Sequence, residues 1–309
     1  MKIVVTGGAG FIGSHLADAL IADGHDVLVI DDLSVGRQEN VPSRAQFAHL
    51  DIRRGDELRA LLMAFKPDVV AHQAAQTSVA VSAREPARDA ETNVLGSIHL
   101  LEACVAAGVK RFVFASTGGA IYGEIPDGSV ADVDWTPAPQ SPYACSKFAV
   151  EQYLRGYRIE RGLASTVLRY ANVYGPRQDP HGEAGVVAIF SQRLLRGDRI
   201  QINARSETGD AGCVRDYVYV ADVVRANVLA CEGKLGDSVT NVCTGVPTTT
   251  LDIARAIEHE IGRPAAMTFA PRRVGDVGRS LLVPNAALGA TTSLAAGIQQ
   301  TVGWFRTRA

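Results

Sequence analysis

Tyr143 and Lys147 stand one helical turn apart in Ser141-Pro-Tyr-Ala-Cys-Ser-Lys147. That spacing sets a phenol and an ammonium on one helix face. A phenol titrates near ~10, too high for a base at neutral pH, and a neighbouring cation favours the phenolate. Such a pair can accept the proton of an alcohol while it is oxidised. By itself the pair is common on ordinary amphipathic helices, so its meaning depends on what surrounds it.

The second chemical stretch is Lys2-Ile-Val-Val-Thr-Gly-Gly-Ala-Gly-Phe-Ile-Gly13. A β-branched run, Ile3 to Val5, reads as a strand buried on both faces. Gly7, Gly10 and Gly13 follow as G-x-x-G-x-x-G, and Phe11, Ile12, Leu16 and Leu20 then recur at helical spacing. Glycines let the backbone turn tightly and approach a ligand, and a helix N-terminus offers N–H groups and a positive dipole end to a diphosphate. A second strand, Asp26-Val-Leu-Val-Ile30, ends in Asp31. An acid at that place takes the adenosine ribose hydroxyls and repels a 2′-phosphate, which predicts NAD rather than NADP. A bound nicotinamide cation would favour the Tyr143 phenolate further.

The elements that must position these groups alternate between strand and helix patterns. A polar loop, Leu33-Ser-Val-Gly-Arg37, is placed to close over the adenine ribose. Gln46–Leu50 reads as a short strand, after which Asp51 either meets the adenine edge or caps the helix Gly55–Phe65. Asp68–His72 is a further strand, and Gln73-Ala-Ala-Gln76 gives small residues at its end. A long helix is expected from Pro86 to Ala107, with Asn93 as a buried polar group able to hold a neighbouring loop. Arg111–Ser116 is a strand with Thr117, Gly118 and Gly119 at its carboxyl end, the side where α/β sheets bind ligands. Gly123–Gln140 is expected as a surface loop, Ser141-Pro142 as a helix start, and Ala164–Arg169 as a strand.

The fold class predicted is α/β, a Rossmann-type doubly wound parallel sheet with a smaller mixed C-terminal substrate lobe. The division expected is 1–170 for the dinucleotide domain, with 216–243 returning to it, and 171–215 plus 244–309 for the substrate lobe. The chain has 309 residues, 47% hydrophobic and 21% charged, with net charge −2. That composition is ordinary for a globular enzyme and gives no basic excess for nucleic acid. Five cysteines without a C-x-x-C pair predict neither a disulfide framework nor a metal site and suit a cytoplasmic protein. No signal peptide is expected before the first strand, and no apolar run reaches membrane-spanning length.

Taken together, Thr6–Gly13, Asp31, Asp51-Ile52, His72-Gln-Ala-Ala75, Asn93, Ser141–Lys147, Asn172-Val-Tyr-Gly-Pro-Arg177 and Arg215-Asp-Tyr217 resemble the extended short-chain dehydrogenase/reductases. Within them the chain is most similar to the bacterial 4-epimerases of UDP-glucose and UDP-galactose, above all in residues 174–183 and 213–217. The resemblance implies NAD that stays bound and is reduced and reoxidised in each turnover, as well as a homodimer formed through the helices near 86–107 and 142–162. It implies an NAD site of Gly7, Gly10, Phe11, Ile12, Gly13, Asp31, Asp32, Ser34, Gly36, Asp51, Ile52, Gln73, Ala74, Ala75, Asn93, Ser116, Tyr143, Lys147 and Tyr170. It implies catalysis by Tyr143, Lys147 and Thr117, and a UDP-sugar site of Thr117, Tyr143, Asn172, Val186, Asn203, Arg215, Tyr217, Arg273 and Asp276. Arg215 and Arg273 match the diphosphate-binding arginines, a role that suits the guanidinium fork.

Two departures stand out. Many such epimerases carry a hydroxyl where this chain has Gly118; Thr117 is expected to supply it, with Ser116 or water as the alternatives. Ser280 stands where some relatives carry Tyr, which predicts room for an N-acetyl group. Nucleotide-sugar 4,6-dehydratases place an Asp-Glu pair where this chain has Gly118-Gly119, so that reading is weak. UDP-glucuronate 4-epimerisation and a catalytically silent NAD-binding sensor are the remaining competing functions.

Overall fold

β-branched runs pair into a sheet wherever both faces can be covered by helices. The structure, a computed structural model, describes residues 1–181, 185–273 and 275–308. In chain order its elements are β1 (Lys2–Thr6), α1 (Phe11–Ala22), β2 (Asp26–Asp31), β3 (Gln46–His49), α2 (Gly55–Phe65), β4 (Val69–His72), α3 (Val79–Arg84), α4 (Pro86–Ala90), α5 (Gly96–Ala107), β5 (Arg111–Thr117), α6 (Gly118–Ile121) and α7 (Pro142–Arg161). There follow β6 (Ala164–Tyr170), β7 (Asn172–Tyr174), α8 (Val186–Arg196), β8 (Ile200–Asn203), β9 (Val214–Tyr219), α9 (Val220–Cys231), β10 (Val239–Val242), β11 (Pro247–Thr249), α10 (Thr250–Ile261), β12 (Met267–Ala270), β13 (Arg279–Ser280) and α11 (Leu294–Arg306). The chain forms two compact units.

The first unit comprises Met1–Thr117, Ser141–Arg169 and Val224–Thr240. Its seven-stranded sheet runs β10-β6-β5-β4-β1-β2-β3. The pairs from β3 across to β5 are parallel, with Val4 opposite both Leu28 and Val70. This is the doubly wound order whose reversal beside β1 makes a ligand crevice at the strands' carboxyl ends. One face of the sheet is covered by α2 and α5, which place Leu58, Leu62, Leu100 and Leu101 in the core with Val70, Phe112 and Phe114. The helix expected over 86–107 is not uniform. A π turn, Glu91–Leu95, interrupts it between α4 and α5 and turns Asn93 inward. Such turns recur at functional sites.

The second unit comprises Gly118–Gln140, Tyr170–Val223 and the residues from Asn241 onward. Its four-stranded sheet centres on β9, which pairs with β7, β11 and β13; β8 pairs with β12 separately. Strands of two to four residues carry too few positions for an alternation signal, so most of these were not legible in the sequence. Helix α11 was not anticipated either. Its glycines weaken the helical pattern, and Gly297 is there for packing: a Cβ would fall 2.1 Å from the Tyr174 hydroxyl. The segment 123–140 is also more than a surface loop. Ile125 and Ala131 are buried, and Arg279 ties the segment down, its Nη1 donating to the carbonyls of Pro126 at 2.7 Å and Ser129 at 2.6 Å.

Candidate functional site

The glycine turn after β1 is a tight cradle. Gly7 has φ +65°, and a Cβ on it would lie 2.6 Å from the Ala74 nitrogen. A Cβ on Gly13 would lie 2.1 Å from the Gly7 carbonyl oxygen, so α1 packs against its own entry turn only because residue 13 has no side chain. No side chain caps α1 at Gly10, which leaves the helix N-terminus open at Phe11 and Ile12. Asp31 ends β2 with its carboxylate accepting from the Ala9 nitrogen at 3.0 Å and the Leu33 nitrogen at 2.8 Å. Burial pushes its carboxyl above the usual range, and those two N–H donors oppose the shift. A carboxylate has further lone pairs for ribose hydroxyls. The loop after Asp31 docks on the cradle, with the Arg37 nitrogen donating to the Ala9 carbonyl at 3.0 Å and Gly36 tight against Asp31. Asp32 accepts from the Ser34 hydroxyl at 2.6 Å, and both are exposed. This open helix end, side-chain-free turn and strand-end acid fit a dinucleotide.

Asp51 neither caps α2 nor stands unpaired. Arg54 is the cap residue, and the Asp51 carboxylate is gripped by Arg53 Nε at 2.9 Å, which holds it below the usual range. Ile52 buries its side chain in the core, where a Cβ on Gly96 would touch it at 2.9 Å. Gln73 donates to Asn227 at 2.9 Å, and the Ala74 nitrogen meets the Thr6 hydroxyl at 3.3 Å; Ala75 follows on the same partly buried stretch. Asn93 clamps the end of that stretch through the Gln76 nitrogen at 2.9 Å and carbonyl at 2.8 Å.

Helix α7 opens as its sequence dictates, with the Ser141 hydroxyl accepting from the Ala144 nitrogen at 3.2 Å and Pro142 in the first turn. Tyr143 and Lys147 both turn toward the end of β5. The Tyr143 phenol lies close to the Thr117 hydroxyl, which favours its ionised form, and Lys147 Nζ donates to the Ala115 carbonyl at 2.9 Å while lying 4.8 Å from the centre of the Phe114 ring. Burial pushes the phenol up to about 12, the Asp89 charge adds to that, and the Thr117 hydroxyl works against it. Burial pulls Lys147 down to about 8, against the opposing charges of Asp89 and Glu151. In this state the ammonium satisfies a buried strand-end carbonyl, and the phenol answers to Asp89 and Thr117. Ser116 donates to Glu151 at 2.5 Å, and Glu151 is locked in a buried pair with Arg169. Tyr170 is buried at the end of β6.

In the second unit, register brings several expected residues together. Asn172 lies opposite Tyr217, and Arg215 opposite Ser280. Tyr217 is buried against Tyr174, with ring centres 6.5 Å apart. The Arg215 guanidinium donates to the carbonyls of Val214 and Val277. With its amide oxygen turned toward Arg273, Asn203 accepts from that guanidinium at 2.8 and 3.0 Å. Asp276 donates its nitrogen to the Arg273 carbonyl at 3.4 Å, and Val186 opens α8. Gly182, Glu183 and Val274, which fall in the matched stretches, lie outside the described residues.

Asp89, Glu151, Arg169 and Arg279 are not marked out by the sequence, and Ser146 is marked only as part of Ser141–Lys147. The available signal was polar residues at apolar positions of helices and strands, which does not name their partners. Among the described residues no helix is long and apolar enough to cross a membrane, and no cluster of His, Cys, Asp and Glu is placed to hold a metal.

Gly13→Ala is expected to cost about 1–3 kcal/mol of stability and to strip dinucleotide from the purified protein. Thermal unfolding and the absorbance of nucleotide released on denaturation check this. A variant that keeps wild-type stability and nucleotide content would contradict the cradle.

Comparison with known proteins agrees with this geometry. A model of the NAD dependent epimerase/dehydratase family matches residues 3–243. The UDP-glucose 4-epimerase of Mycolicibacterium smegmatis is 46% identical over 318 residues, covering 100% of this chain and 99% of that one. The crystal structure of Thermus thermophilus UDP-glucose 4-epimerase in complex with NAD superposes with TM-score 0.96 at 48% identity, covering 100% of both chains. That of the Thermotoga maritima UDP-glucose 4-epimerase with UDP-glucose gives TM-score 0.93 at 47% identity, covering 100% of this chain and 99% of that one.

Proposed function

The chain belongs to the NAD dependent epimerase/dehydratase family, and from that premise we propose that it interconverts UDP-glucose and UDP-galactose through a transient 4-keto sugar. The observation that carries this reading is the Tyr143 phenol, set beside Thr117 at the end of β5 and one helical turn from Lys147, in the unit that holds the glycine cradle. The cradle residues Gly7, Gly10 and Gly13, the open start of α1 and Asp31 hold NAD. When bound, NAD supplies the acceptor and donor of hydride at carbon 4, and a positive ring that favours the phenolate. Tyr143 takes the proton of the sugar 4-hydroxyl and returns it once the carbon has the opposite configuration. Thr117 bonds the phenol and orients the 4-oxygen, and Lys147 keeps a positive charge beside them.

In the second unit, Arg215 and Arg273 bind the diphosphate, and Asn172, Asn203, Tyr217, Val186 and Asp276 bind the nucleotide. Arg215 spends only part of its five-donor fork on backbone carbonyls. Dehydration of the sugar would need an acid–base pair where this chain has Gly118-Gly119. A Cβ on Gly119 would come within 3.2 Å of Asn172 Oδ1, so that place is already crowded. A cytoplasmic homodimer completes the reading. Its support is the five free cysteines, together with exposed Leu95, Tyr153 and Ile159 on the two helical stretches named for the dimer contact.

The test is formation of UDP-galactose from UDP-glucose without added NAD, with mass spectrometry of nucleotide released from the protein. If wild type and Tyr143→Phe are equally inert, the reading is wrong.

Ser280 extends the substrate range in this proposal. It is a small buried residue beside Arg215 on β13. Wild type is expected to epimerise UDP-N-acetylglucosamine, and Ser280→Tyr to lower kcat/KM for it by about 10–200-fold relative to UDP-glucose. Equal exclusion of the N-acetyl sugar by both proteins would remove Ser280 from the argument.

A further inference from the structure

Asp89 is wholly buried, on the short helix α4 that packs against α7. Its Oδ2 accepts from the Ser146 hydroxyl at 2.6 Å, and its Oδ1 from Gln76 Nε2 at 2.8 Å and Asn93 Nδ2 at 3.0 Å. Ser146 directly precedes Lys147 on α7. The network continues through Ser97, which donates to the Asn93 carbonyl at 2.6 Å and meets His72 Nε2 at 3.0 Å; His72 Nδ1 meets the Thr6 hydroxyl at 2.7 Å. One chain of bonds therefore links the strand before the glycine cradle, the π turn and the helix that carries Tyr143.

The buried charges around it are few. On α7 they are Lys147 and Glu151, beside the half-buried Tyr143 phenol; from β6 comes Arg169; from β4 comes His72, which burial and the Lys147 charge pull down to about 3, so that it is neutral. Glu85 and Arg88 pair with each other at the surface at 3.0 Å, and Arg84 and Glu91 are exposed. Glu151 is matched to Arg169, through Nε at 3.0 Å and Nη2 at 2.6 Å. With that pair closed, Asp89 is, among the described residues, the carboxylate left to balance Lys147, and a buried ammonium without a counter-charge is costly.

We infer that Asp89 is the buried counter-charge of Lys147 and, through Ser146, a positioning residue for the face of α7 that presents Tyr143 and Lys147. The inference rests on the proposed role of that pair in the reaction. It gives the π turn a purpose: Asn93 and Asp89 are held together there, so that loop 73–76 and helix α7 are fixed by the same carboxylate.

The sign of the effect is definite. Asp89 disfavours the phenolate and favours the ammonium, so removing its charge lets both Tyr143 and Lys147 lose their protons at lower pH. The experiment uses NAD-loaded full-length protein and reads Tyr143 directly, as the tyrosinate absorbance lost in Tyr143→Phe. In Asp89→Asn the midpoint of that titration is expected to fall by about one pH unit, and the pH optimum of UDP-galactose turnover to move the same way. Asp89→Ser, which also removes the charge but leaves room for water, carries the same expectation if the amide variant does not fold. Ser146→Ala keeps the charge, so the midpoint should stay while kcat falls more than KM changes. A midpoint unmoved in both Asp89 variants, with only a lowered melting temperature, would overturn the inference and leave Asp89 a purely structural residue. If the midpoint moves but wild type turns over no UDP-sugar, the proposed function fails and the charge pairing stands.

Discussion

Replacing Tyr143 with Phe is expected to lower kcat for UDP-glucose and UDP-galactose interconversion by about 10²–10⁴-fold, the usual worth of a positioned acid–base group. The substitution removes one oxygen and leaves the ring on α7, so fold and bound NAD should be retained. The Tyr143 phenol stands beside Thr117, and Asp89 sits near enough to oppose its ionisation. With burial and Asp89 pushing it up to about 12, the chain alone keeps this group protonated at neutral pH. The rate in wild type should therefore rise with pH on the acid side until the phenolate is formed in the NAD-loaded protein. Tyr143→Phe should lose that limb altogether. KM is expected to change little, because the arginines proposed to bind the diphosphate are untouched. A variant with more than a tenth of wild-type kcat would remove Tyr143 from its role.

The second large effect is on stability. The Glu151–Arg169 pair is almost fully removed from water, its side chains 3% and 5% exposed. Glu151→Ala leaves the Arg169 guanidinium buried without a carboxylate, and breaking such a pair costs about 3–5 kcal/mol. Removing both charges together, as in Glu151→Leu with Arg169→Met, should recover most of that loss, because two apolar groups of similar volume avoid the desolvation that the pair itself suffers. Urea unfolding midpoints of the two variants and wild type test the ordering. A single variant within about 0.5 kcal/mol of wild type, the range of ordinary surface substitutions, would show that water reaches the pair. Because Ser116 donates to Glu151 and precedes Thr117, the single variant should also lose activity in the fraction that folds.

The parts legible in the sequence were those coded locally. The glycine turn, the strand before it and Asp31 follow from spacing, since three positions close together must lack side chains for α1 to start there. The Tyr143–Lys147 face follows from the helical period, and the start of α7 from Ser141 and Pro142. These sufficed for the Rossmann-type sheet and for a resemblance that the family comparison supports.

The sequence alone thus determined the Rossmann-type architecture and its cofactor and singled out the groups proposed to react, because all of these reside in runs of consecutive residues whose backbone needs are intrinsic. It did not determine what those groups feel. Asp89 reaches Ser146 from a separate helix, Glu151 meets Arg169 across α7 and β6, and Asn93 faces inward only because a π turn interrupts its helix. Charge effects in a low-dielectric interior depend on distance in space, and distance in space between residues far apart in the chain is set only when the elements pack.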